Sequence, residues 1–313
     1  MNKSTKIWLN YLVGGSISIF LLLSIYRQVV KQLHSLDAAA WQHTGPVASL
    51  AACVALMLAN TSLEGYKWYL LTNMAGHTDY RRAYGSYLAG VAFSIITPNR
   101  IGEYPGRILY LRAGNTIRYV TVSVLGVLSQ LWTVYLFGLP ALIYYNITHA
   151  TVLPKIALGF CLLANVAAAV VFLKFGAWLP RLQQFSWLRK FGVYGRLLNR
   201  VDFKKQLLVL VISVVRFEIF TAQYLILMKW LNVDVPVFEG FMLSALFFWV
   251  MAVIPSVALT ELGVRGSVSL FLFQPFSANT VGMLAATVGI WFLNLIVPSV
   301  IGSILILRMR ILR

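Results

Sequence analysis

Residues Thr97 to Arg112 read TPNRIGEYPGRILYLR, a polar stretch between two long apolar runs. The stretch holds one Glu, three Arg, two Pro and two Gly. Such residues are costly in lipid, and they persist at membrane depth only where protein or water surrounds them. This stretch is therefore the first candidate functional site.

A second stretch, Pro255 to Gly266, reads PSVALTELGVRG and repeats this chemistry in the other half of the chain. It again combines Pro, Gly, Glu and Arg at a point where an apolar run should still be crossing the membrane or just ending. Because the two stretches share residue types and setting, we expect Glu103 and Glu261 to lie near each other, on one polar path.

The composition is that of an integral membrane protein. Hydrophobic residues make up 59% of the 313 residues and charged residues 11%, whereas a soluble domain carries about 25% charged residues. Apolar runs fill nearly the whole length, so we expect one transmembrane domain, residues 1–313, without a separate soluble domain. The net charge of +17 comes from Lys and Arg in short loops, a pattern that orients membrane proteins and leaves no surface for nucleic acid.

A helix needs about 20 apolar residues to cross the hydrocarbon core, and the sequence offers eight runs near or above that length. They lie at about 7–26, 83–98, 118–146, 155–174, 206–230, 238–255 and 279–307, with one more that begins at about 47 and continues into Glu64 and Lys67. A half-length helix at about 265–274 precedes the last run. We therefore predict an all-α polytopic membrane protein with about eight full transmembrane helices and two broken or re-entrant segments.

Basic residues in the linker, about 175–205, and at the end of the chain assign both regions to the cytoplasm. The linker interleaves basic and aromatic residues, which suits a helix in the headgroup layer or an ordinary basic loop. Three spans after the linker cannot return the chain to the side it left, so the second polar stretch must supply one more crossing. The same count in the first half predicts an inverted repeat, with halves at about 47–146 and 206–307. We expect a multi-pass protein of the cell (inner) membrane with both termini cytoplasmic.

The charged residues of the two stretches are the candidate headgroup-binding residues. A guanidinium binds phosphate oxygens through two hydrogen bonds, so the Arg residues suit a phosphodiester, and the Glu residues suit a cationic headgroup or the Arg residues themselves. The alternative is that the ion pairs Glu103–Arg100, Glu103–Arg107 and Glu261–Arg265 only stabilise the fold. The candidates are Arg100, Glu103, Arg107, Arg112, Glu261 and Arg265, with Arg216 and Glu218 from the middle of the sixth run.

Pro and Gly in both stretches are candidate positions for helix breaks, since Pro frees backbone groups and Gly permits turns and close approach. They are Pro98, Gly102, Pro105, Gly106, Pro255, Gly263 and Gly266. Arg216 and Glu218 are two residues apart and point to different faces of their helix, so we expect each to bond to other spans. Glu64 and Lys67 are interpreted as an ion pair at the membrane interface, near the end of their span.

Thr97-Pro98, Arg100-Ile-Gly-Glu103 and Arg107, followed by Pro255 and Glu261-Leu-Gly263-Val-Arg265-Gly266, resemble the transmembrane region of the lysylphosphatidylglycerol synthase family. The resemblance covers essentially the whole chain and implies a flippase-like membrane protein that handles lipids. Full-length members of that family carry a soluble synthase domain after this region. Because the sequence stops at Arg313, we expect that domain, and the synthase activity, to be absent here.

The first functional hypothesis is a lipid flippase that moves a phospholipid or another lipid-linked headgroup between leaflets. The second is a membrane-embedded enzyme acting on polyprenyl- or glycosyl-linked lipids, with Glu103 and Glu261 as acid and base. A third is an accessory subunit of a lipid-modifying enzyme. We expect membrane lipids, an anionic phospholipid foremost, as partners. No catalytic motif stands out, and the scattered His and Cys residues predict neither a metal nor another cofactor.

Overall fold

The computed structural model describes residues 45–95, 97, 101–111, 116–148, 152–174, 203–254 and 261–307, and six separate helical positions between 16 and 27. Within these ranges every regular element is a helix, which confirms the predicted all-α polytopic fold. For Glu261 and Leu262 only the backbone is described. The predicted span at 7–26 and the basic linker at 175–205 fall largely outside the described residues.

The described residues form ten α-helices. They are α1 Val47–Ala75, α2 Tyr80–Ser94, α3 Glu103–Leu111, α4 Thr116–Thr148, α5 Val152–Leu173, α6 Phe203–Trp230, α7 Val237–Val253, α8 Glu261–Phe273, α9 Thr280–Trp291 and α10 Val297–Leu307. A π-helical turn, Phe292–Ile296, joins α9 to α10 into one span of 28 residues. In the described ranges, this span, α1, α4, α5 and α6 are each long and apolar enough to cross a membrane.

The long helices alternate in direction between two ends of the bundle. At the first, called the Trp230 end, the backbone N–H of Gly45 donates to the carbonyl of Trp230 at 2.7 Å, so α1 begins where α6 ends. At the second, called the Lys174 end, the Gln206 side chain donates to the carbonyl of Phe172, so α5 ends where α6 begins. The first long helices of the two predicted halves, α1 and α6, are therefore antiparallel neighbours.

Between α1 and α4 the chain forms a helical hairpin. A Cβ on Gly90 would lie 2.5 Å from the carbonyl oxygen of Glu103, and a Cβ on Gly85 would lie 2.9 Å from the Tyr110 hydroxyl. Since residues later in α3 meet residues earlier in α2, the two helices are antiparallel. They hold 15 and 9 residues, short of the roughly 20 needed to cross. The run predicted at 83–98 is thus one arm of a hairpin whose tip holds the first polar stretch.

The second half repeats this order. The Asn279 side chain donates to the carbonyl of Leu231 at 2.8 Å, which puts the start of α9 at the Trp230 end. Helix α7 also begins there, after a six-residue connection from the end of α6, so α7 and α8 together leave and return to the same end. They hold 17 and 13 residues. The two hairpins thus enter the bundle from opposite ends, as an inverted repeat requires, although the repeat itself stays a prediction.

Helix starts and close contacts follow from local sequence. The Asp79 carboxylate accepts the Arg82 N–H at 3.3 Å and caps α2, and the Asn279 amide oxygen accepts the Gly282 N–H at 2.9 Å and caps α9. Gly302 lets α10 touch α2, because a Cβ there would lie 2.0 Å from the Leu88 carbonyl oxygen. Small residues of this kind bring membrane helices together, and they fix α2 and its hairpin in the bundle.

Candidate functional site

Glu64 on α1 is the centre of a buried group of charged side chains. Its Oε1 accepts from Arg107 of α3 at 2.8 Å, and its Oε2 accepts from Lys67 at 2.8 Å and from Arg216 of α6. Arg107 also bonds to Glu103, one turn before it on α3. We call these five residues the Glu64 cluster. Side-chain exposure is only 8% for Glu64, 3% for Lys67 and 4% for Arg107.

Arg107 is held by aromatic rings as well as by carboxylates. Its guanidinium carbon lies 5.0 Å from the ring centre of Trp68, 5.1 Å from that of Tyr87 and 5.7 Å from that of Tyr104. These distances are those of cation–π contacts. The Nε of Arg107 is buried and has no hydrogen-bond partner among the described residues.

The glycines of the first hairpin determine where Arg107 lies. A Cβ on Gly90 would come within 2.4 Å of the Arg107 side chain, and a Cβ on Gly106 within 3.0 Å of the Gly90 backbone. Ser86 of α2 donates to the Arg107 carbonyl at 2.8 Å and accepts from the Trp68 indole at 2.9 Å. The close crossing of α2 and α3 therefore presses the guanidinium towards α1, where Glu64 is.

Neutral polar side chains extend the cluster. Arg216 donates to Asn60 and to Gln130, each at 2.9 Å. Asn60 in turn donates to Asn294 at 2.9 Å, and Asn294 donates to Gln223 at 2.7 Å. This chain of hydrogen bonds joins α1, α4 and α6 to the π-helical turn. π-Helical turns occur frequently at functional sites, and this one carries Asn294 to the cluster.

The Glu64 cluster lines a cavity of about 240 Å³. Glu103 keeps 20% of its side-chain exposure, so the charged group is not sealed on that side. A second cavity of about 240 Å³ shares Gln130, Phe220, Asn294 and Leu295 with the first. Arg265 of α8 lines the second cavity, together with aromatic side chains of α6, α7 and α9. Residues of both hairpins thus reach the middle of the bundle.

Three of the predicted site residues meet in the Glu64 cluster: Glu103, Arg107 and Arg216. Arg265 lines the neighbouring cavity, and the half-buried Glu218 lines neither cavity. Arg100, Arg112, Pro98 and Pro255 lie outside the described residues, as does the side chain of Glu261. The expected proximity of Glu103 and Glu261 therefore stays a prediction.

The predicted hinge positions differ in their surroundings. Gly102 precedes α3 and donates its N–H to the Thr97 hydroxyl at 2.8 Å, and Pro105 sits in the first turn of α3, where Pro is tolerated. A Cβ on Gly266 would lie 2.8 Å from a methyl carbon of Leu284. Gly263 has open space where its Cβ would be. Close approach accounts for Gly102 and Gly106, whereas the packing of the described residues does not account for Gly263.

Sequence reasoning misplaced Glu64 and Lys67. They do form an ion pair, but it lies in the buried centre of the bundle and not at the interface, because α1 continues to Ala75. One signal was present: Asn60, Glu64 and Lys67 are four and three residues apart, so they share one face of the helix. Gln130 and Asn294 were missed as well, since neither carries a charge. Arg216 bonds to Glu64 of α1, which is on another span, as expected.

Together, the long apolar helices, the two hairpins and the charged cavity inside the bundle define a polytopic α-helical membrane protein with a polar interior. The family model described as lysylphosphatidylglycerol synthase TM region matches residues 8–302, and the chain belongs to that family. This confirms the resemblance carried by the two polar stretches. Comparisons with curated proteins and with solved structures gave no match.

Proposed function

We propose that this protein carries a phosphate-bearing lipid headgroup across the membrane, from one leaflet to the other. The observation that carries the proposal is the cavity lined by the Glu64 cluster, in the interior of a bundle of transmembrane helices. Charged groups in such a place are costly and mark the paths of polar substrates. A headgroup that crosses the hydrocarbon core needs a polar environment of this kind, while its acyl chains remain in lipid.

Arg107 is the residue we assign to the phosphate. Its buried Nε has no partner among the described residues, and a hydrogen bond from a charged guanidinium to a phosphate oxygen is short and strong. Aromatic rings on three sides keep the planar group in one orientation. Membership of the lysylphosphatidylglycerol synthase TM family supports a role in lipid handling.

The enzyme alternative has less support in the cluster. A glutamate that acts as acid or base must be free to exchange a proton with a substrate. Both Glu64 oxygens accept bonds from cations, and Glu103 is paired with Arg107. These carboxylates are arranged as counter-ions, which favours transport of a headgroup over chemistry on it.

The test is a transport assay with purified protein in liposomes. A fluorescent phospholipid in both leaflets is exposed to a membrane-impermeant quencher, which reaches the inner-leaflet probe only if the protein moves it outward. We expect wild-type protein to expose the whole probe population, and Arg107→Gln to slow this by at least about tenfold, since a hydrogen bond to a charged group contributes about 1.5–3 kcal/mol.

The matched control is Arg81→Gln, which removes an exposed guanidinium at the start of α2. It should transport like wild type. Both variants must elute as monodisperse protein, so that lost transport is not lost folding. If wild-type liposomes quench no further than protein-free ones with every phospholipid tried, the proposed function is wrong.

A further inference from the structure

Resting on the proposed function, we propose that the cavity selects a headgroup with net negative charge, a phosphodiester without an amine, over zwitterionic and cationic headgroups. The charge of the cavity wall carries this inference. Among the described residues that line it, two carboxylates, Glu64 and Glu103, face three cations, Lys67, Arg107 and Arg216. The formal charge is therefore +1, and one negative charge on a ligand balances it.

Most of the carboxylate oxygens in the cavity wall are already engaged by the cluster's own cations. Each oxygen of Glu64 already accepts from a cation, and Glu103 accepts from Arg107. The neutral acceptors are engaged too, since the Gln130 oxygen accepts from Arg216 and the Asn294 oxygen from Asn60. Among the described carboxylate oxygens only Oε2 of Glu103 has no cation partner, so a headgroup amine could pair with that oxygen alone and would face three cations at close range.

The aromatic rings offer an amine no alternative. Electron-rich ring faces bind ammonium groups by cation–π contacts, but the faces of Trp68, Tyr87 and Tyr104 already surround the Arg107 guanidinium. The charged groups that the cavity presents to a ligand are therefore mainly the donors of its cations. This pattern matches the oxygens of a phosphate.

Lys67 is the residue that sets the excess charge. Its ammonium bonds to Glu64 at 2.8 Å and reaches the Gln130 and Ser213 oxygens at 3.4 Å. If Lys67 were replaced by Met, Glu64 would keep both of its arginine partners, and two carboxylates would face two cations. The substitution thus brings the formal charge of the cavity wall to zero without breaking the contacts of Arg107. It therefore tests the effect of the net charge separately from that of the arginine contacts.

The experiment compares headgroups that carry the same fluorescent acyl chain: phosphatidylglycerol, phosphatidylethanolamine and an aminoacylated phosphatidylglycerol. In the liposome assay, we expect wild-type protein to move phosphatidylglycerol at least ten times faster than either of the others. Lys67→Met should reduce that ratio to below about three, because the cavity of the variant carries one positive charge fewer than that of the wild type. Lys155→Met removes an exposed ammonium from α5 and should keep the wild-type ratio.

Two outcomes in this assay count against different claims. Equal wild-type rates for all three lipids would overturn the charge selection and leave the proposed function intact. Movement of no lipid would overturn the proposed function, and the selection would then be judged by binding alone. For that, thermal unfolding in detergent is measured with each lipid added, and a ligand that binds the folded state raises the melting temperature.

In the binding experiment we expect phosphatidylglycerol to raise the melting temperature of the wild-type protein more than phosphatidylethanolamine does, and Lys67→Met to abolish the difference. Equal shifts in the wild-type protein would overturn the selection. Inorganic phosphate is the further arm: if phosphate alone gives the shift that phosphatidylglycerol gives at the same concentration, the cavity is a site for free anions and the lipid assignment is wrong.

Discussion

Replacing Glu64 by Gln should be the most damaging conservative substitution in the cluster. Gln keeps the volume and one acceptor oxygen, but it removes the negative charge and replaces the other acceptor with an amide donor. Lys67, Arg107 and Arg216 would then lose their shared counter-ion, and the formal charge of the cavity wall would rise from +1 to +2. Breaking a buried ion pair by removing one partner costs about 3–5 kcal/mol, because an uncompensated charge stays behind.

The assay is thermal unfolding of purified protein in detergent. With about 2–4 °C lost per kcal/mol in domains of 150–250 residues, we expect Glu64→Gln to lower the melting temperature by at least about 6 °C. Glu239→Gln is the matched control: Glu239 lies in the first turn of α7, where its interaction with the helix dipole contributes at most about 1 kcal/mol.

A double substitution separates charge from packing. Glu64→Gln combined with Lys67→Met brings the formal charge of the wall back to +1, so it should recover at least half of the lost melting temperature. The reasoning is refuted if Glu64→Gln loses no more than Glu239→Gln, or if the double variant is less stable than Glu64→Gln. Either result would mean that the described ion pairs do not stabilise the fold.

Two further predictions concern the hairpins. Gly90→Ala should destabilise the protein by about 1–3 kcal/mol in thermal unfolding, because its Cβ would overlap the Glu103 carbonyl; Gly263→Ala, with open space at the same atom, should be neutral or slightly stabilising, and equal losses would contradict the packing argument. Single cysteines at the exposed positions His77 and Thr116 should react with an impermeant thiol reagent from one side of the membrane, and a cysteine at Asn232 should react from the other side. If all three are labelled from the same side, the assignment of these positions to opposite ends of the bundle is wrong.

The fold class could be predicted because it depends on local composition. A chain with few charges and long apolar runs has no alternative to helices in a membrane. The helix breaks were also readable, since Pro, Gly, Glu and Arg interrupt apolar runs at 97–112 and 255–266, but the sequence predicted a further crossing at each break where the structure has a hairpin. The sequence left Arg100 and Arg107 as alternative partners of Glu103, and the structure has the pair with Arg107, which is four residues away on the same helix.

The position of Glu64 could not be predicted by counting apolar residues. About 20 residues from Val47 bring a helix to Tyr66, so Glu64 seemed to mark the end of a span. In the structure α1 continues to Ala75, and its last turns are surrounded by other helices that accommodate polar side chains. How far a helix extends depends on what packs around it, and one sequence does not contain that information directly.

Contacts between distant parts of the chain could not be predicted from the sequence either. Arg216 bonds to Glu64 across 152 residues, and Asn60 bonds to Asn294 across 234. Asn294 lies in a run of 42 residues without a charge, so a search for intramembrane charges passes over it. Amide side chains act in such sites as hydrogen-bond connectors, and their partners become visible only when the helices are assembled.

The π-helical turn at Phe292–Ile296 sets the register of the last span. A π turn holds one residue more than an α turn, which rotates everything after it by about 100° relative to an uninterrupted α-helix. Asn294 faces the cluster and Gly302 faces the Leu88 carbonyl. That rotation allows the same span to make both contacts. A chain one residue shorter at this point would keep its apolar character, yet it would present the wrong face of α10 to α2.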